Sequence, residues 1–401
     1  MPVGTAEGTE AGGAAEGIPA PLSCQRDAFS LPPDVHYLNC AYMAPLPRTT
    51  EAAVIEGLRR KRVPIDIGAP DFFRDLEEAR RCFARIVGGD PDRVALLPSA
   101  SYGIAVCARN LQVERGRTIV LTHEQFPGNV LAWRRVAAET GAEVVTVAPP
   151  EGASRGEAWN VRLLEAVEGR TAVVAIPHVH WTDGSRFDLE GVCRRAREVG
   201  AAVVVDGTQS VGALPLDVGR LRPDAVVCAA YKWLLGPYSA AVAWFGPRLD
   251  GGIPLEETWM AREGSEDFQN LVRYRDAYQS GARRYDVGEV ANFALLPGVL
   301  ASLRLVLEWG PGRIQRYVSD LITELVALAR ERGFRVEDPA WRAAHIFGIR
   351  MRPDVALDDL KAALDRARVS ASLRGTALRV SPHVYNDASD VGALMEVLEG
   401  V

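Results

Sequence analysis

The 401-residue sequence predicts an α/β protein: a large domain on a mainly parallel sheet with helices on both faces, then a smaller α+β domain. Three observations carry this. Apolar runs of strand length alternate with helical patterns from Val94 to Ala230. Two of those runs deliver a charged residue, Ala201 to Val205 ending on Asp206 and Ala225 to Ala230 leading to Tyr231-Lys232. Past Gly288 the alternation gives way to a long helical stretch and a different mix of strands and helices. The length exceeds that of one ordinary core, so two domains are expected.

In chain order, residues 1–35 read as a disordered or extended arm, residues 36–290 as the large domain and residues 291–401 as the small one. Met1 to Pro21 is rich in Gly, Ala and Glu and lacks the basic start and apolar core of a signal peptide. Val35 to Asn39 is a short extended segment, and the prolines of Ala44-Pro45-Leu46-Pro47 stop regular structure after it. Helical periodicity follows over 49–62 and 71–87. Strands are expected at 94–97, 118–121, 143–147 and 171–176, with helices from Tyr102, over 129–140 and over 189–199. In the small domain a helical stretch from about Phe293 to Arg332 precedes strands at 334–337, 344–351 and 377–381, interleaved with helices over 357–368 and 387–399.

Bulk composition narrows the function. A formal net charge of −6 with Arg mixed among Asp and Glu leaves no basic stripe for nucleic acid, and no apolar stretch is long and charge-free enough to cross a bilayer. The six cysteines, Cys24, Cys40, Cys82, Cys107, Cys193 and Cys228, have no metal or redox spacing and read as reduced thiols of a cytoplasmic protein. The His178-x-His180 pair is no ligand cluster, so no metal is expected; it reads as a cofactor-pocket wall or a packed strand end.

The charged strand ends point to chemistry. Parallel strands covered on both faces present ligands at their carboxyl ends, where Asp206 and Lys232 stand. A lysine among aromatic and apolar neighbours loses its proton more readily, and a neutral amine can form a Schiff base. Taken singly, the two read equally well as a buried capping Asp and a solvated loop Lys. Pro98-Ser99-Ala100-Ser101-Tyr102-Gly103 follows a strand and opens a helix, which makes its N–H groups and hydroxyls an anion cradle.

The pair Asp206 and Lys232, with Gln209 between them in sequence, resembles the aspartate and lysine of the pyridoxal-phosphate enzymes of the aminotransferase class V family, which includes kynureninases, isopenicillin N epimerase and cysteine desulfurases. The resemblance covers nearly everything from Tyr37 onward. It implies fold type I, with a mainly parallel sheet of the seven-stranded type, and pyridoxal 5′-phosphate as cofactor. Lys232 would carry the internal aldimine, Asp206 would keep the pyridine nitrogen protonated, and Gln209 would sit near the phenol oxygen. Ser99, Ala100 and Ser101 would hold the phosphate, as would the hydroxyl of Tyr231, which serves equally well as a core aromatic.

The turn His123-Glu124-Gln125-Phe126-Pro127-Gly128 resembles the Phe-Pro turn of kynureninase-like proteins, making Phe126 the ring that stacks on the pyridine; otherwise Phe126 plugs the core beneath the turn. Arg379-Val380-Ser381 and Tyr385-Asn386 resemble the C-terminal signature whose arginine grips the substrate carboxylate in a two-pronged bond. Asn39, His180 and Asp183 are further candidates for contact with the substrate. Arg284-Tyr285-Asp286-Val287-Gly288-Glu289 resembles the segment that reaches the partner subunit's phosphate, with Glu289 where a Thr is usual, and Arg283 or Arg284 would make that contact across a homodimer with shared active sites.

The implied substrate is a small L-amino acid. The reaction is less defined, because one cofactor serves transamination, racemisation, β-elimination and Cβ cleavage. Cysteine desulfurases carry a nucleophilic cysteine before the carboxylate-binding arginine, and residues 350–401 contain none. The favoured reading is a lyase in which Lys232 takes the Cα proton and a Cβ bond then breaks, of the C–S lyase or kynureninase-like kind. An aminotransferase or epimerase is the alternative, and a binding protein that retains only the fold is the non-enzymatic one.

Overall fold

A computed structural model describes residues 20–150 and 155–401; most of the expected N-terminal arm lies outside the described residues. Among the described residues thirteen strands occur in chain order: β1 (His36–Tyr37), β2 (Val94–Leu97), β3 (Thr118–Thr122), β4 (Glu143–Val147), β5 (Thr171–Pro177), β6 (Ala202–Asp206), β7 (Ala225–Ala229), β8 (Ala241–Phe245), β9 (Arg335–Val336), β10 (Phe347–Arg350), β11 (Val369–Ser370), β12 (Ser372–Arg374) and β13 (Ala377–Val380).

Seven of these form the large sheet in the order β2-β8-β7-β6-β5-β3-β4. β8 runs antiparallel to both neighbours, while β4, β3, β5, β6 and β7 are mutually parallel. β8 has no counterpart among the sequence expectations, and neither has the helix Arg155–Ala166. An apolar stretch as short as Ala241–Phe245 does not declare its direction or its place in the order. The strands are buried on both faces: Val203, Val205, Val174 and Ile176 pack into one core, Val204, Val173 and Ala175 into the other. That two-sided burial explains why they read as unbroken apolar runs rather than alternating ones.

The stretch expected as one helix from Phe293 to Arg332 is three helices, Leu295–Trp309, Pro311–Leu321 and Thr323–Glu331. Gly310 takes a φ of 75° and Pro311 has no N–H to continue the ladder, so the chain turns there. Helix Leu295–Trp309 packs on helices Arg48–Arg60 and Arg74–Val87 beside the large sheet. The small sheet has the order β12-β13-β10-β9, all antiparallel. β1 pairs with β11, and Asn39 bridges Ser381, so residues 36–39 sit with the C-terminal segments. No helix among the described residues is long and apolar enough to cross a membrane.

Candidate active site

Pairing in register sets Pro177 of β5 beside Asp206, and Asp206 beside Val227 of β7. Asp206 ends β6 and Lys232 follows β7 by three residues, so both reach the carboxyl edge of adjacent parallel strands. A cavity of about 270 Å³ opens at this edge, close to the lower limit for small-molecule sites. Asp206, Gln209, Tyr231, Lys232 and Phe126 line it, and Ser99, Ala100 and Ser101 form one end.

Lys232 is buried, and its side-chain amine makes no hydrogen bond among the described residues. Its Nζ stands 5.6 Å from the centre of the Phe126 ring and 5.5 Å from that of Tyr231. Burial brings its pKa down to about 8, against the pull of Asp206 and with help from the charges of Arg379 and Arg374. The Asp206 carboxyl is raised by the same burial, opposed by Thr208 and Lys232; its Oδ1 accepts the Thr208 N–H at 3.0 Å. Gln209 is fixed at both ends of its amide. Nε2 donates to Ala41 O at 3.1 Å and Oε1 accepts from Trp233 Nε1 at 2.8 Å.

The cradle forms because Ser99 is extended and caps helix Ala100–Asn110, its Oγ accepting the Tyr102 N–H at 3.2 Å and lying 3.0 Å from Ser101 Oγ. Gly103 lets this helix lie against the sheet: a Cβ there would meet Val227 Cγ1 at 2.7 Å and Leu97 Cδ1 at 2.8 Å. Phe126 is 49% exposed, so it walls the cavity and does not plug the core. Trp181 stands edge-on to it at 5.7 Å, and its Nε1 donates to Glu124 O.

Arg379 is buried on β13 and, like Asn39, does not itself line the cavity; it reaches the wall through Trp181. It donates from one terminal nitrogen to Trp181 O at 2.9 Å and from the other, at 3.4 Å, to Asn39 Oδ1 and Ser372 Oγ, while its Nε has no partner. Asn39 thus acts on this arginine, also accepting from Ser372 Oγ at 2.9 Å. Desolvation holds the Arg379 guanidinium down to about 10.

Other expected contacts lie elsewhere. His180 is fully buried, with Nδ1 2.7 Å from Thr182 Oγ1 and Nε2 2.9 Å from His123 O, and packs on Trp159. Asp183 accepts from Ser185 and pairs with Arg350 and Arg155. Both side chains tie the loop that carries Trp181 to neighbouring segments, and neither lines the cavity. Arg283 is held within its own chain by Glu77 and Asp92, whereas Arg284 lies over the Tyr278 ring and keeps an unpartnered Nε. Asp286 is buried against Arg80 and accepts the Leu96 N–H, which makes it a brace for β2. Thr208, Trp233 and Tyr238 carry no mark in the sequence; Tyr238 lines the cavity and lies tilted against Tyr231, with ring centres 4.6 Å apart. Neighbours of a lysine motif offer no sequence signal separating cavity walls from core.

These residues fit pyridoxal phosphate. A partnerless amine, a carboxylate at a strand end, a capped helix start and an aromatic wall surround one cavity. The model of one family, described as aminotransferase class-V, matches residues 69–394. The chain belongs to the aminotransferase class-V family. It is a pyridoxal-phosphate-dependent enzyme of this family. The family member is 27% identical over 387 residues to isopenicillin N epimerase of Streptomyces clavuligerus, covering 94% of this chain and 97% of that protein. It is 26% identical to a probable cysteine desulfurase of Methanothermobacter thermautotrophicus, over 91% of this chain and 94% of that one. Among solved structures, the cystine C–S lyase C-DES matches with a TM-score of 0.80 at 18% identity, over 91% of this chain and 97% of that chain. The cysteine desulfurase of Thermococcus onnurineus matches at 0.79 and 20%, over 95% and 100%. The fold is therefore fold type I.

Proposed function

We propose that this enzyme removes the Cα proton of a small L-amino acid and then breaks a Cβ bond, as a C–S lyase or a kynureninase-like enzyme does. The observation that supports this reading most is the pairing of an amine near neutrality, Lys232, with Arg379, an arginine without a carboxylate partner among the described residues that acts on that amine's charge. Pyridoxal phosphate, when bound, supplies a carbonyl that joins amines and a ring that draws electrons from Cα. Arg379 holds the substrate carboxylate. Lys232 Nζ receives the Cα proton, and its low pKa suits a base that works near neutral pH. Asp206 keeps a proton on the ring nitrogen, Ser99 to Ser101 hold the phosphate, and Phe126 covers one ring face.

No thiol lines the cavity among the described residues. Cys40, which feels the charges of Lys232 and Arg379, is fully buried and pushed up to about 12. Sulfur released from Cβ would thus leave as a small molecule instead of passing to a protein thiol. Epimerisation is the second reading, favoured by the similarity to isopenicillin N epimerase along nearly the whole chain.

One experiment separates them. Candidate amino acids are incubated with holoenzyme in D2O, and pyruvate, ammonia, sulfide, Cα deuterium and optical rotation are followed. Keto acid with ammonia, formed without an added keto-acid acceptor, is the expected result. Deuterium incorporation with inversion and no cleavage would select the epimerase, and accumulation of pyridoxamine phosphate would select transamination. We further propose a homodimer in which Arg284, not Arg283, reaches the partner's site.

A further inference from the structure

Two guanidiniums of the small sheet, not one, oppose the charge of the Lys232 amine. Arg374 ends β12, next to β13 and its Arg379, with Ser372 paired to Arg379 in register. The Arg374 guanidinium carbon lies 5.4 Å from the centre of the Trp181 ring, and Trp181 lines the cavity. Among the described residues its guanidinium donates to Leu373 O alone, and its Nε is buried without a partner. No carboxylate pairs with either Arg374 or Arg379 among the described residues. The contrast with the braces of the fold is direct, since Arg80 is matched by Asp286 and Arg283 by Glu77 and Asp92. Both unmatched charges act on the Lys232 amine, and each acts on the other. Half-buried positive charge left without a counter-ion is unfavourable, so a ligand that supplies two anions is favoured over one that supplies one.

We infer that the substrate is an amino acid with a second anionic group at the far end of its side chain, its α-carboxylate taken by Arg379 and its distal carboxylate by Arg374 against Trp181. The inference rests on reading the cavity as an amino-acid site, but not on which bond is broken. Under the lyase reading, the distal carboxylate belongs to the group that leaves Cβ.

Binding to holoenzyme is measured through the change in its visible absorption, which does not require turnover. The probes are S-carboxymethyl-L-cysteine and its neutral amide, and L-glutamate with L-glutamine. A charge-assisted hydrogen bond corresponds to roughly a 10- to 100-fold difference in Kd, so each acid should bind that much more tightly than its amide. Arg374→Met should remove this preference, weakening the acids by that factor and the amides by less, while an unaltered visible band of the unliganded holoenzyme reports an intact site. Arg379→Met should weaken all four. Equal binding of acids and amides to the unaltered enzyme, or equal weakening of both by Arg374→Met, overturns the proposal. If acids are preferred but no Cβ cleavage follows, the lyase reading fails and this inference stands.

Discussion

Lys232 concentrates the physics of the site in one atom. Its amine is buried among aromatic rings with no hydrogen-bond partner, and two arginines on the small sheet oppose its charge while Asp206 favours it. Burial wins, and the amine titrates at about 8 instead of 10.5. The sign follows from linkage: between these values the unfolded chain binds more protons than the folded one, so this group makes stability rise with pH across that window. Below about 8 the lysine is charged in both states and its burial penalty is fully felt. The same titration controls reactivity. Uptake of pyridoxal phosphate by the apoprotein, followed by growth of the visible band, should quicken as pH rises through about 8 and then level off. Arg379→Met should shift that curve to higher pH by removing an opposing charge, and Lys232→Ala should abolish the borohydride-sensitive band. A rate independent of pH across this range would show that the amine is not the titrating group.

At the scale of elements, the site depends on how closely helix Ala100–Asn110 lies on the sheet. Gly103 faces Val227 and Leu97 across a gap with no room for a methyl group, and both neighbours are buried core side chains. Glycine inside a helix is unfavourable by about 1 kcal/mol relative to alanine, so propensity alone would favour the substitution. Overpacking a core typically costs 1–3 kcal/mol, so Gly103→Ala should be destabilising on balance. It should also tilt the first turn, where Ser99 and Ser101 sit, and weaken phosphate retention. Thermal melting of the apoprotein and the Kd for pyridoxal phosphate check the two parts. A higher melting temperature with unchanged Kd would mean that the neighbours yield easily.

Across the whole molecule, the N-terminal segment and the small sheet close the site from outside the large sheet. Asn39 arrives from one end of the chain and Ser372 from the other, and both accept from Arg379. Ile65, Val272 and Tyr274 are 89%, 80% and 95% exposed, which leaves large apolar side chains in water on a single chain. Light scattering on the eluting protein should therefore give twice the chain mass, and an apolar-to-Asp change at Val272 with Tyr274 should lower it. A single-chain mass at micromolar concentration would remove the shared-site proposal for Arg284.

Local pattern was enough to announce the alternating strands, the charged residues at two strand ends and the helix start after Ser99, because burial on both sheet faces and capping chemistry are written in neighbouring residues. The sequence also contains Arg374, His180 and Asp183, but nothing local ranks them. The tertiary structure decided that His180 and Asp183 tie the Trp181 loop to His123, Arg155 and Arg350, and that Arg374 joins Arg379 without a counter-ion. It also decided that β8 enters antiparallel and that residues 36–39 pair beside Ser381. Those outcomes depend on which distant segment supplies a hydrogen-bond partner or an opposite charge, and chain distance does not encode that.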